Sequence, residues 1–325
     1  MWYVLTPLAQ PVNKFDSVVL VRWQLFLLLL LICPTGFAKK LYKYQDHEGR
    51  WYFTDQPPET EQPVSVRQLK PVAKQRVRLE KIDSGSEPGF CIINDYPGPI
   101  EVAIDWQTRS NVTAQPSLPN RFVVESGRSA SLFKVTGDGQ AEARKFTLSY
   151  RYVIGRPLIG YIGSEPYQPP LAPGARFQIT QAFGGQYSHQ DAQNRYAVDI
   201  MMPEGTPVHA ARAGMVLEVE NDFFKSGQQQ AYADKANSIR ILHDDGSMAI
   251  YAHLALEQAR VQPGSKVRTG DLIGFSGNTG FTSGPHLHFA VQINQGMELV
   301  SVPFQFMDAK RGPFDPQLGD WLQGG

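Results

Sequence analysis

The sequence has little cysteine: only Cys33 and Cys91 occur in 325 residues. Cys33 lies in an apolar segment near the start that we interpret as part of a removable leader, so the mature chain keeps one thiol. One thiol cannot form an internal disulfide, which excludes a small fold held together by disulfide bridges. Cys91 lies in the apolar stretch GFCIIN, which favours a buried small side chain over a reactive nucleophile.

No excess of either charge is present, since Lys plus Arg and Asp plus Glu each number 31. Such a chain has no overall field to attract nucleic acid or an anionic membrane, and we expect neither partner. Long segments with helical periodicity are also missing. The 29 glycines and 24 prolines suit short strands joined by turns, so the composition predicts an all-β protein.

The first 38 residues resemble a secretory signal peptide. The stretch WQLFLLLLLIC (23–33) is almost wholly apolar, Lys14 and Arg22 precede it, and small residues at Gly36 and Ala38 predict cleavage after Ala38. The alternative is an uncleaved anchor over 17–38, which would bury Arg22 at a cost. The shortness of the apolar core favours cleavage. We therefore expect an exported protein with no stable membrane span after cleavage.

The remaining chain divides by composition into several segments. We predict a small β-hairpin domain at 39–60, a linker and first strand at 61–88, a β-sandwich at 89–157 and a Pro/Gly-rich linker at 158–175. A C-terminal antiparallel β domain with a groove follows at 176–305, and 306–325 is a tail. All candidate chemistry falls in the C-terminal domain.

The stretch GPHLHFAV (284–291) carries the clearest functional signal. Leu287, Phe289 and Val291 alternate with other residues, so the stretch reads as a β-strand. Successive strand side chains point to opposite faces, so His286 and His288 lie on the same face. Each imidazole ring needs a polar partner, and two on one face suit half of a metal site.

Two further histidines, His189 in YSHQD and His253 in YAHL, have suggestive contexts. A catalytic zinc takes three protein ligands and leaves the fourth position to a water, which it makes acidic near neutral pH. Histidine titrates near working pH, so a spare imidazole can move the proton of that water. We interpret the other histidines as structural or loop residues: His47, His209 and His243.

Three motifs sharpen this interpretation: AVDIMMPEGTPVHAARAGMVLEVE, NSIRILHDDGSMAIYAHL and VQPGSKVRTGDLIGFSGNTGFTSGPHLHFAV. In order and spacing they resemble the lysostaphin-type (LytM-type) zinc metallopeptidases that cut peptidoglycan. The resemblance covers about 176–305 and implies one Zn2+ per chain. Its implied ligands are His189, Asp199 and His288, while His253 and His286 would be the acid/base and oxyanion-stabilising groups. Which of the two is the general base stays open.

The ligand spacing departs from the family pattern. Nine residues separate His189 from Asp199, where the family usually has three, so Asp191 is a rival ligand. The sequence VDIMMPEGTPV matches the segment around and after the family's aspartate, which favours Asp199. We interpret the extra residues as a longer surface loop, a change that costs little.

The resemblance implies an exported zinc metalloendopeptidase that acts on peptidoglycan stem peptides in the periplasm or cell envelope. The expected bond is D-alanyl–diaminopimelate; oligoglycine bridges or a non-wall protein stay open. The alternative is a catalytically silent or autoinhibited wall-binding protein that activates another hydrolase. The upstream modules, of which the first resembles a short proteobacterial domain of unknown function, would orient the enzyme or cover the groove. A regulatory envelope protein could then release them through motion at 156–177.

AARAGMVLEVE and VRTGDLIGFSG also resemble biotinyl and lipoyl carrier hairpins, but neither offers the lysine that carriers modify.

Overall fold

The computed structural model describes residues 40–68, 75–82, 87–139, 144–161, 163 and 165–325. The predicted signal peptide lies outside them. Within these ranges the chain is nearly all β-strand, with one 3-10 turn at Gln230–Tyr232, so the all-β prediction is confirmed. In the same ranges, no helical segment has the length and apolar character that crossing a membrane requires.

The chain divides into two compact units, of which the smaller falls within residues 5–74. Its strands are β1 (Lys40–Gln45), β2 (Trp51–Thr54) and β3 (Ser65–Gln68). They form an antiparallel sheet in the order β2-β1-β3. The β1–β2 hairpin turns through Gly49, whose φ of +81° suits glycine. The Asp46 carboxylate accepts the backbone N–H groups of Glu48 and Arg50 and closes the turn.

The larger unit runs from Gln75 to Gly325 and begins with a two-sheet module. Its strands are β4 (Val77–Ile82), β5 (Gly89–Asn94), β6 (Ile100–Ser110), β7 (Val112–Gln115), β8 (Asn120–Val124), β9 (Gly127–Arg128), β10 (Phe133–Gly137) and β11 (Lys145–Ile154). One sheet has the order β4-β5-β10-β7 with β9 on β5, and the other has the order β11-β6-β8. Alternate residues of β6 (Ile100, Val102 and Ile104) are fully buried in the core between the sheets.

A nine-stranded antiparallel sheet carries the groove, in the order β19-β15-β17-β18-β22-β13-β12-β26 with β23 on β22. The strands of this region are β12 (Arg176–Gln181), β13 (Val198–Met201), β14 (Pro207–His209), β15 (Gly214–Glu220), β16 (Ser226–Gly227), β17 (Ser238–Leu242), β18 (Met248–Ala252), β19 (Lys266–Val267), β20 (Leu272–Phe275), β21 (Gly280–Phe281), β22 (His286–Asn294), β23 (Leu299–Ser301), β24 (Phe306–Asp308), β25 (Gly312–Phe314) and β26 (Trp321–Gln323). The pairs β14–β20, β16–β21 and β24–β25 form three separate two-stranded sheets.

The two-sheet module and the large sheet share buried contacts. Leu217 and Met248 of the large sheet belong to the apolar core of the module. The buried Glu101 carboxylate of β6 accepts hydrogen bonds from the Asn294 side chain at 3.0 Å and the Met297 backbone at 2.7 Å. The module is therefore packed onto the sheet by both apolar and polar contacts.

The segments predicted as linker and tail also contact the large sheet. The Leu158 N–H donates to the Asn294 carbonyl, and the Tyr167 N–H donates to the Gln305 carbonyl. The C-terminal strand β26 pairs with β12 and forms one edge of the sheet. Residues 306–325, predicted as a tail, thus contribute strands, one of which extends the sheet itself.

A continuous groove of about 1570 Å3 lies over one face of this sheet. It runs from His286 and His288 past Arg240 and Gln292 to Tyr152 of the two-sheet module. His288 and Gln292 are four residues apart on β22, which corresponds to roughly 13 Å along the strand. The module therefore bounds the groove at the end away from the histidines.

Candidate metal centre

Strand β22 presents the two histidines of the GPHLHFAV motif to the groove. It lies between β18 and β13, and this register sets His288 opposite Asp199 on one side and Ala252 on the other. Both His286 and His288 line the groove, as the strand alternation predicts. The pairing of β13 with β22 brings together residues that are 89 positions apart in the chain.

Three buried side chains each direct one atom that could bind a metal toward a common point. The Asp199 Oδ1 atom lies 3.2 Å from His189 Nε2 and 2.9 Å from His288 Nδ1. All three atoms lie within 4.8 Å of one another, and all three residues are buried. This cluster unites the three residues that the family resemblance implies as ligands.

The remaining ring nitrogens show which atoms carry protons. His189 Nδ1 lies 2.9 Å from the Ala182 carbonyl oxygen, and His288 Nε2 lies 3.1 Å from Asn194 Oδ1. These oxygens only accept, so each ring donates there, and a neutral ring keeps its lone pair on the nitrogen that faces Asp199. The two ring nitrogens that face Asp199 Oδ1 can therefore each present a lone pair to a cation, beside a carboxylate oxygen. The donor set therefore fits zinc, which takes nitrogen and carboxylate ligands.

The Asp199 carboxylate is held ionised. Burial raises its pKa, but in the metal-free centre the rings of His189 and His288 donate hydrogen bonds to it when protonated on the facing nitrogen, which outweighs burial and holds that pKa well below the usual range. A bound cation would take the place of these protons. The second oxygen, Oδ2, accepts a hydrogen bond from Gln181 Nε2 at 2.8 Å. Gln181 thus orients the carboxylate and leaves Oδ1 to face the histidines, as outer partners of metal ligands commonly do.

His253 and His286 form a second pair beside this cluster, with ring centroids 4.5 Å apart. Their Nδ1 atoms face carbonyl oxygens, of Thr279 at 2.7 Å and of Gly284 at 2.8 Å. Burial, followed by the nearby His286 and His288, lowers the pKa of His253 to about 3, and burial also lowers the pKa of His286. Both rings are neutral near pH 7, with Nε2 able to accept a proton.

The other candidates lie elsewhere. Asp191 bonds within its own loop, where its carboxylate accepts from Gln193 and Asn194, and it is not one of the three clustered residues. His209 and His243 each approach a backbone carbonyl, and His47 approaches Gln62 in the small unit.

Three contributors to the centre have no signal in the sequence: Asn194, Gln181 and the Thr279 carbonyl. Each acts through a hydrogen bond to a residue that only the folded chain brings near. Asn194 lies 94 positions from His288, for example, and its side chain could equally have served a turn.

Comparison with protein families agrees with this geometry. Residues 193–299 match the sequence profile of peptidase family M23. This stretch is a peptidase family M23 domain. It contains Asp199, His253, His286 and His288, while His189 lies four residues before its start. Residues 28–79 match a domain of unknown function, DUF4124, consistent with the resemblance of the first module.

The M23 domain also has similar curated relatives. It is 40% identical over 107 residues to the DD-carboxypeptidase/endopeptidase Mpg of Neisseria meningitidis, a match over 32% of this chain and 22% of the relative. It is 40% identical over 91 residues to the peptidoglycan DD-endopeptidase ShyA of Vibrio cholerae, over 28% and 18%. It is 35% identical over 102 residues to the glycyl-glycine endopeptidase ALE-1 of Staphylococcus capitis, over 31% and 25%. The chain spans about a fifth to a quarter of the length of these relatives.

Proposed function

We propose that the protein is an exported zinc metalloendopeptidase that hydrolyses peptide cross-links of peptidoglycan, with D-alanyl–diaminopimelate as the bond cut. The observation that carries this proposal is the convergence of His189, Asp199 and His288 in a groove that also holds two neutral histidines. The names of the Neisseria and Vibrio relatives support an endopeptidase of the DD type. The predicted signal peptide supports action in the periplasm or cell envelope.

In this mechanism His189 Nε2, Asp199 Oδ1 and His288 Nδ1 would hold the metal. When bound, zinc supplies positive charge that polarises a peptide carbonyl and makes water acidic near neutral pH. The Nε2 atom of His253 or His286 accepts the proton of the attacking water and returns it to the departing amine. The other ring is the oxyanion-stabilising group: its Nε2 takes a proton from solvent as the oxyanion develops, donates it in a hydrogen bond to that oxyanion, and returns it to solvent when the oxyanion collapses.

A digest of purified sacculi tests the proposal. The mature protein is compared with His288→Ala, His286→Ala and a chelator-treated sample, and soluble fragments are identified by mass. His209→Ala is the matched control, because His209 bonds a backbone carbonyl outside the centre. We expect cross-linked dimers to disappear with the wild type and with His209→Ala only, and zinc to restore the chelated sample.

Two results would contradict the proposal. A folded, zinc-loaded wild type that releases nothing from sacculi would favour the non-enzymatic alternative, an activator of another hydrolase. Full activity of His288→Ala would remove the proposed metal ligand from the mechanism. Release of oligoglycine fragments from a wall that contains them would change the substrate and keep the reaction.

A further inference from the structure

The loop between His189 and Asp199 does more than connect two ligands. Its backbone is fixed to the large sheet, since the Ala192 carbonyl accepts from the Ser301 backbone at 2.7 Å and from the Ser301 hydroxyl at 3.0 Å. The Gln193 carbonyl accepts from the Gln292 side chain at 2.8 Å. The loop therefore lies in one defined position beside β22, with Asn194 next to His288.

Within this loop, Asp191 determines how the Asn194 carboxamide is turned. Asp191 Oδ1 accepts the backbone N–H groups of Gln193 and Asn194 at 2.8 and 3.0 Å. Its Oδ2 atom lies 2.9 Å from Asn194 Nδ2. A carboxylate only accepts hydrogen bonds, so the amide nitrogen of Asn194 must face Asp191. The amide oxygen must then face the other way, toward His288.

This orientation affects the proton position on His288. Asn194 Oδ1 lies 3.1 Å from His288 Nε2, and an amide oxygen can only accept, so this contact favours a proton on Nε2. Without a metal, Asp199 Oδ1 lies 2.9 Å from Nδ1 and competes with Asn194 as an acceptor for the ring's proton. A metal bound through Nδ1 would take the place of a proton there, and the one N–H of the ring would then lie at Nε2, facing Asn194. The tautomer of a metal-binding histidine is set in this way by the bond that its other nitrogen makes.

We infer that Asp191 and Asn194 are positioning residues that hold His288 in the Nε2–H tautomer required for metal binding through Nδ1. This inference rests on the proposed function, in which His288 is a zinc ligand. It also gives Asp191 a role other than the ligand role that its position in the sequence suggests. The inserted loop thus supplies an outer partner for a ligand that belongs to a distant strand.

We call the hydrogen bonds that link Asp191, Asn194 and His288 the relay. Asn194→Ala tests the relay in the full mature chain, with two readouts besides activity. Zinc affinity is measured by competition with a chelator, and the tautomer of His288 is read in the zinc-free protein from long-range 1H–15N NMR correlations. We expect Asn194→Ala to weaken zinc binding roughly 10- to 100-fold and to populate the Nδ1–H tautomer. The control is Gln193→Ala, since Gln193 enters the loop's hydrogen bonds through its backbone.

An exchanged pair separates the relay from simple loss of loop structure. The double variant Asp191→Asn with Asn194→Asp keeps one N–H donor between positions 191 and 194 and keeps an acceptor facing His288. We expect it to restore the Nε2–H tautomer and zinc binding. Unchanged zinc affinity and tautomer in Asn194→Ala would overturn the inference. A wild type that binds no zinc would instead contradict the proposed function, while the NMR comparison would still report on the relay.

Discussion

At the scale of single residues, His243 is a buried histidine outside the metal centre. Its Nδ1 atom lies 2.7 Å from the Ala213 carbonyl, and its ring packs edge-on against Tyr167. Among the described residues, His243 Nε2 is one of two buried side-chain nitrogens without a hydrogen-bond partner. Burial is the main cause that lowers the pKa of His243 from 6.5 to about 4. The ring is neutral in the folded protein throughout the mildly acidic range.

This lowered pKa predicts a loss of stability in acid. As the pH falls below 6.5, His243 becomes protonated in the unfolded chain. In the folded chain the same ring stays neutral until about pH 4. The free energy of unfolding should therefore fall between these pH values, by roughly 3 kcal/mol over the full window. Urea unfolding of the zinc-free protein at pH 7.5 and pH 4.5 measures the loss. We expect His243→Gln to show a smaller loss than the wild type, and equal losses would contradict this account.

Part of the centre could be predicted from local sequence. The alternation in GPHLHFAV places His286 and His288 on one face, and the motif that contains Asp199 favours that residue over Asp191. The structure brings the predicted ligands together, while their roles stay predictions. Asn194 and Gln181 could not be predicted in this way, because their roles depend on hydrogen bonds across distant parts of the chain.

At the scale of structural elements, the turn from Gly277 to Gly280 positions His253. The turn leads into β21, and its Thr279 carbonyl lies 2.7 Å from His253 Nδ1. Gly280 has φ +84°, and a Cβ there would lie 2.7 to 2.8 Å from atoms of Ala236, including its backbone. Backbone cannot yield as a flexible side chain does, so this turn requires glycine for both its conformation and its space.

Gly280→Ala should therefore cost both stability and activity. We expect an unfolding free-energy loss above the roughly 1 kcal/mol that a left-handed conformation costs, because the added methyl group also displaces Ala236 and the Thr279 carbonyl. The matched control is Gly270→Ala, where φ is +86° but no atom lies within 4 Å of the added Cβ. Thermal unfolding and sacculus digestion measure the two effects. Equal behaviour of the two variants would show that space at Gly280 is unimportant.

Short strands were the elements that the sequence predicted least well. Strand β26 has only three residues, Trp321–Gln323, yet it pairs with β12 at the edge of the large sheet. Three residues give too few alternating positions for a strand period to be recognised, and the Gly and Pro residues around them favour loops. Longer strands such as β6 and β22 are recognisable because their apolar alternation extends over many residues.

At the scale of the whole large unit, the two-sheet module is fastened to the sheet that carries the centre. Leu217 and Met248 are buried in the core of the module, and the Glu101 carboxylate is bonded to Asn294. Displacing the module would expose these apolar side chains to water. It would also break the hydrogen bond that the Glu101 carboxylate accepts from Asn294. The motion that the sequence suggested for 156–177 would also require breaking the hydrogen bond of Leu158 to Asn294 on β22 and that of Tyr167 to Gln305.

Met248→Ala tests whether the module and the sheet open as one body. Met248 is fully buried between them, so we expect a loss of about 2–5 kcal/mol. Hydrogen exchange should lose protection in β6 of the module and in β17 of the sheet together. Leu318→Ala, at a side chain that is 70% exposed, is the control and should change neither strand. Loss of protection in β17 alone would indicate that the module moves independently.

Cys91 gives this coupling a natural reporter. Its thiol is fully buried on β5 of the module, so a thiol-modifying reagent reaches it only when the module opens. In the mature chain, from which the predicted leader and Cys33 are absent, the rate of thiol modification is then a clock for that opening. A substrate or inhibitor that fills the groove and contacts Tyr152 of the module would lower the rate of Cys91 modification, although it binds away from the sulfur atom.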